Sequence, residues 1–168
     1  MDIADFAMKM ERDGKAYYEK QASLTADPEL KKILLTLAEE EENHYRFFRT
    51  MKENPDDLVD AKLTGPDTLK HVKNIFEEMA RQSDKAAFGA DAISAWKEAR
   101  LIEEKSVAFY LKQAEVENDP TRKALLEQIL EEERNHVLMI DGILIFLKQP
   151  AAFADSAQFK NFLSLEGR

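Results

Sequence analysis

Residues 39–44 read EEEENH and residues 131–136 read EEERNH, so the same acidic run ends in histidine twice, 92 residues apart. When the chain is shifted against itself by 92 residues, 7–44 aligns with 99–136 without a gap, and sixteen of the 38 positions are identical. Two copies are too few for a solenoid, which needs at least three stacked repeats. The repeat instead predicts a duplicated helical hairpin that packs against its twin.

Each copy has the features of two helices joined by a short loop. Asp27-Pro28 and Asp119-Pro120 each place an N-cap residue before a proline at the first helical position. Prolines at 55 and 150 mark the ends of the second helix in each copy. The predicted helices run over about 3–24, 28–53, 91–116 and 120–148.

The segment at about 55–90 is long enough to run back along the bundle, so that the second and third helices are parallel. Within it we expect a short helix from Pro66 to Gln82 and a loop from Ser83 to Gly89. The predicted fold is all-α, with a four-helix bundle over residues 1–149. The tail 150–168 is expected to pack on the bundle or on a partner subunit through Phe153, Phe159, Phe162 and Leu163.

The composition excludes several classes of partner and site. The chain has 168 residues and a net charge of −9, which argues against nucleic acid or an anionic membrane as partner. It has no cysteine, which removes disulfides, thiol catalysis, zinc–thiolate sites and iron–sulfur ligation. The N-terminal segment does not resemble a signal peptide, and the longest apolar run, VLMIDGILIFL, is too short to span a bilayer. We therefore expect a cytoplasmic protein.

Heptad spacing predicts which of the acidic residues point inward. The apolar seam of the second helix contains two polar residues, Glu41 and His44. The equivalent residues in the fourth helix are Glu133 and His136. These four side chains are expected to face one another across the bundle. The acids that fall off the seam of the second helix, and are expected to face water, are Glu39, Glu40 and Glu42.

The first and third helices carry matching rows at helical spacing. Each row has one glutamate among small residues and ends in a tyrosine two turns later. The rows are Ala7, Glu11, Gly14, Tyr18 and Ala99, Glu103, Ser106, Tyr110. The tyrosines are either core aromatics or hydrogen-bond partners of the glutamates. The small residues Gly14 and Ser106 either leave room for a small oxidant or permit close packing of the helices.

Six of these residues make a set of metal ligands. Four buried carboxylates without partners would be prohibitively unfavourable, whereas two divalent cations would balance their charge. A glutamate from each of two helices and a Glu-x-x-His from each of the other two is the ligand set of a dinuclear carboxylate site. Oxygen and nitrogen ligands suit Fe, Mn or Zn. The set is Glu11, Glu41, His44, Glu103, Glu133 and His136.

Over about 1–148 the chain resembles the rubrerythrin branch of the ferritin-like superfamily. The resemblance lies in MERDGKAYYEKQA, DPELKKILLTLAEEEENH, IEEKSVAFYLKQA and DPTRKALLEQILEEERNH. It implies a ferritin-like bundle that holds two iron ions and reacts with hydrogen peroxide or dioxygen. By position, it implies terminal ligands at Glu11 and Glu103, bridging carboxylates at Glu41 and Glu133, and one histidine ligand for each metal, His44 and His136.

Two departures from the family pattern leave the reaction open. Full rubrerythrins carry a rubredoxin domain with four cysteines, so this chain is expected to take electrons from a separate, rubredoxin-like donor. They also usually have an extra glutamate where this chain has Ser106, and the more symmetric ligand set is closer to that of bacterioferritin. The hypotheses are a di-iron peroxide or dioxygen reductase, a ferroxidase or iron-handling protein, and a non-catalytic metal-binding module. We also expect a homo-oligomer, with a dimer favoured.

Overall fold

A computed structural model describes residues 2–60, 66–81 and 88–153, together with 160 and 164, and no strand occurs in these ranges. The helices are α1 Ile3–Leu24, α2 Pro28–Glu53, α3 Pro66–Arg81, α4 Ala90–Val116, α5 Pro120–Lys148 and α6 Pro150–Phe153, and a 3-10 helix, Pro55–Asp60, follows α2. The four long helices confirm the predicted ranges; α4 begins one residue earlier than expected. Among the described helices, none has an apolar stretch long enough to cross a bilayer.

The helix ends lie where the capping residues and prolines predicted them. The Asp27 carboxylate accepts hydrogen bonds from two backbone N–H groups in the first turn of α2, both at 3.0 Å. The Asp119 carboxylate accepts one from the backbone N–H of Arg122 at 2.8 Å. α2 ends at Glu53 and α5 at Lys148, and the C-cap residues Asn54 and Gln149 each stand directly before a proline. Proline disfavours the helical conformation of the residue before it, which ends both helices.

The direction of each helix follows from the contacts between the two hairpins. The Tyr18 hydroxyl donates to Glu103, and the Tyr110 hydroxyl donates to Glu11. The later residue of α1 therefore meets the earlier residue of α4, and the reverse, so these two helices are antiparallel. Since each is the first helix of an antiparallel hairpin, α2 and α4 are parallel, which confirms the crossover. The two hydrogen bonds interchange on a shift of 92 residues, as a pseudo-twofold axis between the hairpins requires.

Two apolar clusters enclose the polar part of the seam. Leu37 and Ile140 belong to one cluster, and Phe48 and Ile129 belong to the other. All four side chains are fully buried. On α2 and on α5, the Glu-x-x-His residues lie between these apolar positions in sequence. The bundle therefore places its carboxylates and imidazoles in a region that is closed by hydrocarbon at both ends.

The crossover helix α3 and the short helix α6 cover one side of the bundle. Phe153 of α6 is fully buried, with its ring centroid 5.6 Å from that of Phe76 and 5.4 Å from that of Phe146. Residues 82–87 of the predicted loop, and the tail residues Phe159, Phe162 and Leu163, lie outside the described residues. The boundary between bundle and tail at 149 and 150 stays a prediction.

Candidate metal centre

The structure brings the six predicted ligand residues together inside the bundle, and each is at most 2% exposed. Their ligand atoms form two groups, and within each group these atoms lie within 4.8 Å of one another. The groups are Glu11, Glu41, His44, Glu133 and Glu41, Glu103, Glu133, His136. Glu41 and Glu133 belong to both groups, which is the position that bridging carboxylates would need.

Both imidazoles present the same nitrogen to the carboxylates. His44 Nδ1 lies 3.0 Å from Glu133 Oε1 and 3.5 Å from Glu11 Oε2. His136 Nδ1 lies 3.3 Å from Glu103 Oε2 and 3.4 Å from Glu133 Oε2. The two rings are stacked, with centroids 6.1 Å apart. A cation in either ligand group would therefore be bound through Nδ1 of the histidine of that group.

The other nitrogen of each imidazole contacts a glutamate of the opposite hairpin. His44 Nε2 lies 2.8 Å from Glu132 Oε2, and His136 Nε2 lies 3.3 Å from Glu40 Oε2. An imidazole that donates its Nε2 proton to a carboxylate keeps the Nδ1 lone pair for a metal, and its ring is held in orientation. Both glutamates are buried, so the expectation that Glu40 faces water is wrong.

The seam pattern predicts a surface position for Glu40 because the pattern contains no information about neighbouring helices. The heptad pattern reports only which face of α2 turns toward the bundle axis, whereas Glu40 lies at the edge of that face and reaches His136 on α5. The one sequence feature that points to a buried role for Glu40 is that the repeat has the same residue, Glu132, at the equivalent position. That indication is weak, because Glu39 and Glu131 are also identical and both are exposed.

Two tyrosines fix the carboxylates of α1 and α4. Tyr18 and Tyr110 are fully buried, and each donates to Oε1 of its glutamate, Glu103 and Glu11 respectively. Burial, together with the neighbouring carboxylates, raises the pKa of both hydroxyls well above their ordinary value, so they remain protonated donors. These hydrogen bonds leave the other oxygen of each glutamate facing a histidine: Glu11 Oε2 faces His44, and Glu103 Oε2 faces His136.

The charges of the cluster are unbalanced without a cation. Burial, with the added repulsion of Glu11, raises the pKa of Glu41 well above its ordinary value. Burial and the charge of Glu103 raise the pKa of Glu133 to about 7. Burial lowers the pKa of both histidines, but the glutamates around each ring outweigh it and raise the pKa well above the ordinary value. In metal-free protein the cluster must therefore hold protons in place of metal.

Unsatisfied atoms show that the residues present fit a cation. Within the described part of the chain, five buried side-chain atoms have no hydrogen-bond partner, namely Glu11 Oε2, Glu41 Oε1, His44 Nδ1, Glu133 Oε1 and Glu133 Oε2. His44 Nδ1 and Glu133 Oε1 lie 3.0 Å apart but are not aligned as a hydrogen bond. Buried polar atoms are nearly always paired, so such a concentration requires an explanation. All five are oxygen or nitrogen atoms that can donate a lone pair to a divalent ion.

The two small residues beside the ligands occupy different surroundings. A Cβ added to Gly14 would lie 2.6 Å from Glu41 Oε2, so the space beside this glycine is filled by a carboxylate. Ser106 is buried, and its hydroxyl donates to the backbone carbonyl of Ile102 at 3.3 Å. The oxidant pocket expected at these two residues stays a prediction.

The comparisons with known proteins agree with this geometry. The model of the Rubrerythrin family matches residues 2–144. Neither the curated proteins nor the solved structures gave a significant match. The matched range covers most of the chain and contains all six clustered residues. The chain therefore belongs to the rubrerythrin family.

Proposed function

We propose that the protein is a di-iron oxidoreductase that reduces hydrogen peroxide or dioxygen with electrons from a separate donor. The observation that carries this proposal is the pair of overlapping ligand groups that share Glu41 and Glu133. A single structural ion would need only one such group. Two groups with shared carboxylates are suited to two ions that act together.

The chain's own residues prepare the site in three ways. Tyr18 and Tyr110 each hold one oxygen of a terminal glutamate, which directs the other oxygen inward. Glu132 and Glu40 hold Nε2 of the histidines, which reserves Nδ1 for the metal. The apolar clusters at both ends exclude water and lower the local dielectric.

Bound as a ferrous pair, iron supplies two electrons, one from each ion. Reduction of one hydrogen peroxide to two waters breaks the O–O bond and consumes two electrons and two protons. The electrons must then be replaced from outside the site. Residues 1–168 contain no cysteine thiolates for a second iron centre, so the donor that we propose is a rubredoxin-like iron centre outside these residues.

Ferroxidase activity is the second candidate, and one observation favours it. The two ligand groups have the same composition, three glutamates and one histidine, and position 106 adds no further carboxylate. A symmetric centre of this kind suits repeated oxidation of incoming ferrous ions. In that case iron is both cofactor and substrate, and the protein should retain oxidised iron.

Stopped-flow mixing separates these candidates. Protein purified without oxygen is loaded with ferrous iron and mixed with hydrogen peroxide or with dioxygen, and the absorbance of ferric iron is followed. A reductase is expected to oxidise once per centre and to turn over only when a reduced rubredoxin-like protein is added. A ferroxidase is expected to consume many ferrous ions per chain without that donor.

The matched control uses two glutamates of the same run. Glu41→Gln removes a shared ligand and should abolish the fast phase, whereas Glu39→Gln changes an exposed residue two positions away and should leave it intact. Loaded protein that reacts with neither oxidant would refute both catalytic proposals and leave a metal-binding module.

A further inference from the structure

Gly14 lies in the interior of α1, where glycine is among the least favourable residues. It follows the terminal ligand Glu11 by one helical turn and is buried. A Cβ at this position would meet Oε2, Cδ and Cγ of Glu41 at 2.6, 3.3 and 3.6 Å. The three nearest atoms all belong to one side chain, the shared carboxylate of the metal centre.

Gly142 is a comparison within the same bundle, because its missing Cβ makes room only for apolar side chains of the core. A Cβ there would meet the ring of Phe76 at 2.8 Å and the ring of Phe153 at 3.8 Å. Those contacts are between apolar groups of the core. Gly14 differs because the group that takes its space is a polar side chain with an unsatisfied buried oxygen, Glu41 Oε1.

The repeat places a residue with a Cβ at the equivalent point of the other hairpin. Position 106 is serine, buried, and hydrogen-bonded to the backbone carbonyl of Ile102. The two shared carboxylates, Glu41 and Glu133, are equivalent under the same shift of 92 residues. The space left by the missing Cβ of Gly14 therefore occurs beside Glu41 and has no counterpart at position 106. The duplication of the hairpin alone does not explain it.

We propose that Gly14 is a positioning residue of the metal centre, whose missing Cβ reserves the space that the Glu41 carboxylate needs to reach both metal positions. This inference rests on the proposed dinuclear centre. A Cβ at position 14 would force the Glu41 carboxylate out of the position that it occupies in the structure. In the metal-free protein a flexible carboxylate can give way, whereas in the loaded protein it must hold its place as a ligand.

The test compares Gly14→Ala with Ser106→Ala, which adds no Cβ, in metal-free protein and with Zn²⁺ as a redox-inert probe. The metal-free melting temperature of Gly14→Ala should stay the same or rise by about 1–4 °C, because alanine is the better helix former. Its affinity for Zn²⁺, measured by titration calorimetry, should fall by about tenfold or more, and the rise in melting temperature on Zn²⁺ loading should shrink. Ser106→Ala should leave the affinity for Zn²⁺ within a few-fold of that of the wild type.

A double-mutant cycle keeps the test decisive even if Gly14→Ala folds poorly. In a Glu41→Ala background the carboxylate is gone, so Gly14→Ala should no longer lower the stability of the metal-free protein and should show only the small gain expected from the better helix former. An equal loss of stability with and without Zn²⁺, at unchanged affinity, would mean that Gly14 only spaces the helices and would overturn the inference. An equal loss of stability on Gly14→Ala in the wild-type and the Glu41→Ala backgrounds would also overturn the inference. A wild-type protein that neither binds Zn²⁺ nor gains stability from it would overturn the metal centre as well.

Discussion

Removal of the bound cations is expected to reverse the way in which the stability of the protein depends on pH. In the metal-free cluster, burial and the charge of Glu103 raise the pKa of Glu133 from 4.5 to about 7. Between these two values the folded state keeps a proton on Glu133 that the unfolded chain has released. The free energy of unfolding therefore falls as the pH rises through this range, and the contribution is fully present only below the lower value.

The size of the effect follows from the two pKa values. Each pKa unit corresponds to about 1.4 kcal/mol, so the rise from 4.5 to about 7 is worth about 3 kcal/mol. For a chain of this length, 1 kcal/mol changes the melting temperature by about 2–4 °C, which gives a fall of about 6–12 °C between about pH 5 and pH 8. The raised pKa values of Glu41 and both histidines act in the same direction. In the loaded protein metal replaces these protons, so its melting temperature should hold or rise over the same range.

The assay is thermal melting followed by far-ultraviolet circular dichroism, on protein stripped of metal by chelation and on protein loaded with Zn²⁺. Glu133→Gln should remove much of the fall in the metal-free series, because a neutral amide has no proton to lose. Glu39→Gln alters an exposed glutamate and should keep the fall unchanged. Parallel pH curves for stripped and loaded protein would refute the reasoning, as would equal effects of the two variants.

Three further predictions concern single side chains. Tyr18→Phe removes the donor to Glu103 and should weaken Zn²⁺ binding by about 10–100-fold, as titration calorimetry can show. Glu132→Gln should weaken Zn²⁺ binding to a similar extent, because His44 loses the carboxylate that accepts from Nε2; nuclear magnetic resonance of the imidazole should report the changed tautomer. Phe153→Ala should cost about 3–5 kcal/mol in denaturant unfolding, since the ring is fully buried, and an unchanged midpoint would contradict the role of α6 in the core.

Local sequence features were sufficient to predict the helices and the six polar side chains that meet inside the bundle. Asp27 and Asp119 cap helices that begin at prolines, and these interactions form within one turn of chain, so sequence alone specifies them. Heptad spacing predicted that Glu41 is buried and that Glu39 is exposed, because the burial of a helical residue depends on its angular position around the helix axis. The direction of α4 followed from the length of the crossover, which exceeds what a tight turn needs.

Features that depend on contact between helices could not be predicted in the same way. The pairing of Glu40 with His136 requires the relative height of α2 and α5, which no pattern within one helix contains. The approach of the Glu41 carboxylate to Gly14, with Oε2 2.6 Å from where a Cβ would lie, is a second contact of this kind. Helical periodicity indicates that a small residue faces inward. Which side chain packs against that residue depends on the position of another helix.

The most direct test of the central claim is the amount of iron that the protein binds without oxygen. The protein should be stripped, reloaded with ferrous iron, freed of excess by gel filtration and analysed for iron and protein together. The dinuclear centre predicts about two iron ions per chain. It also predicts that Glu41→Gln loses most of this iron and that Glu39→Gln retains it. Less than one ion per chain in the wild type, or equal retention by the two variants, would contradict the account.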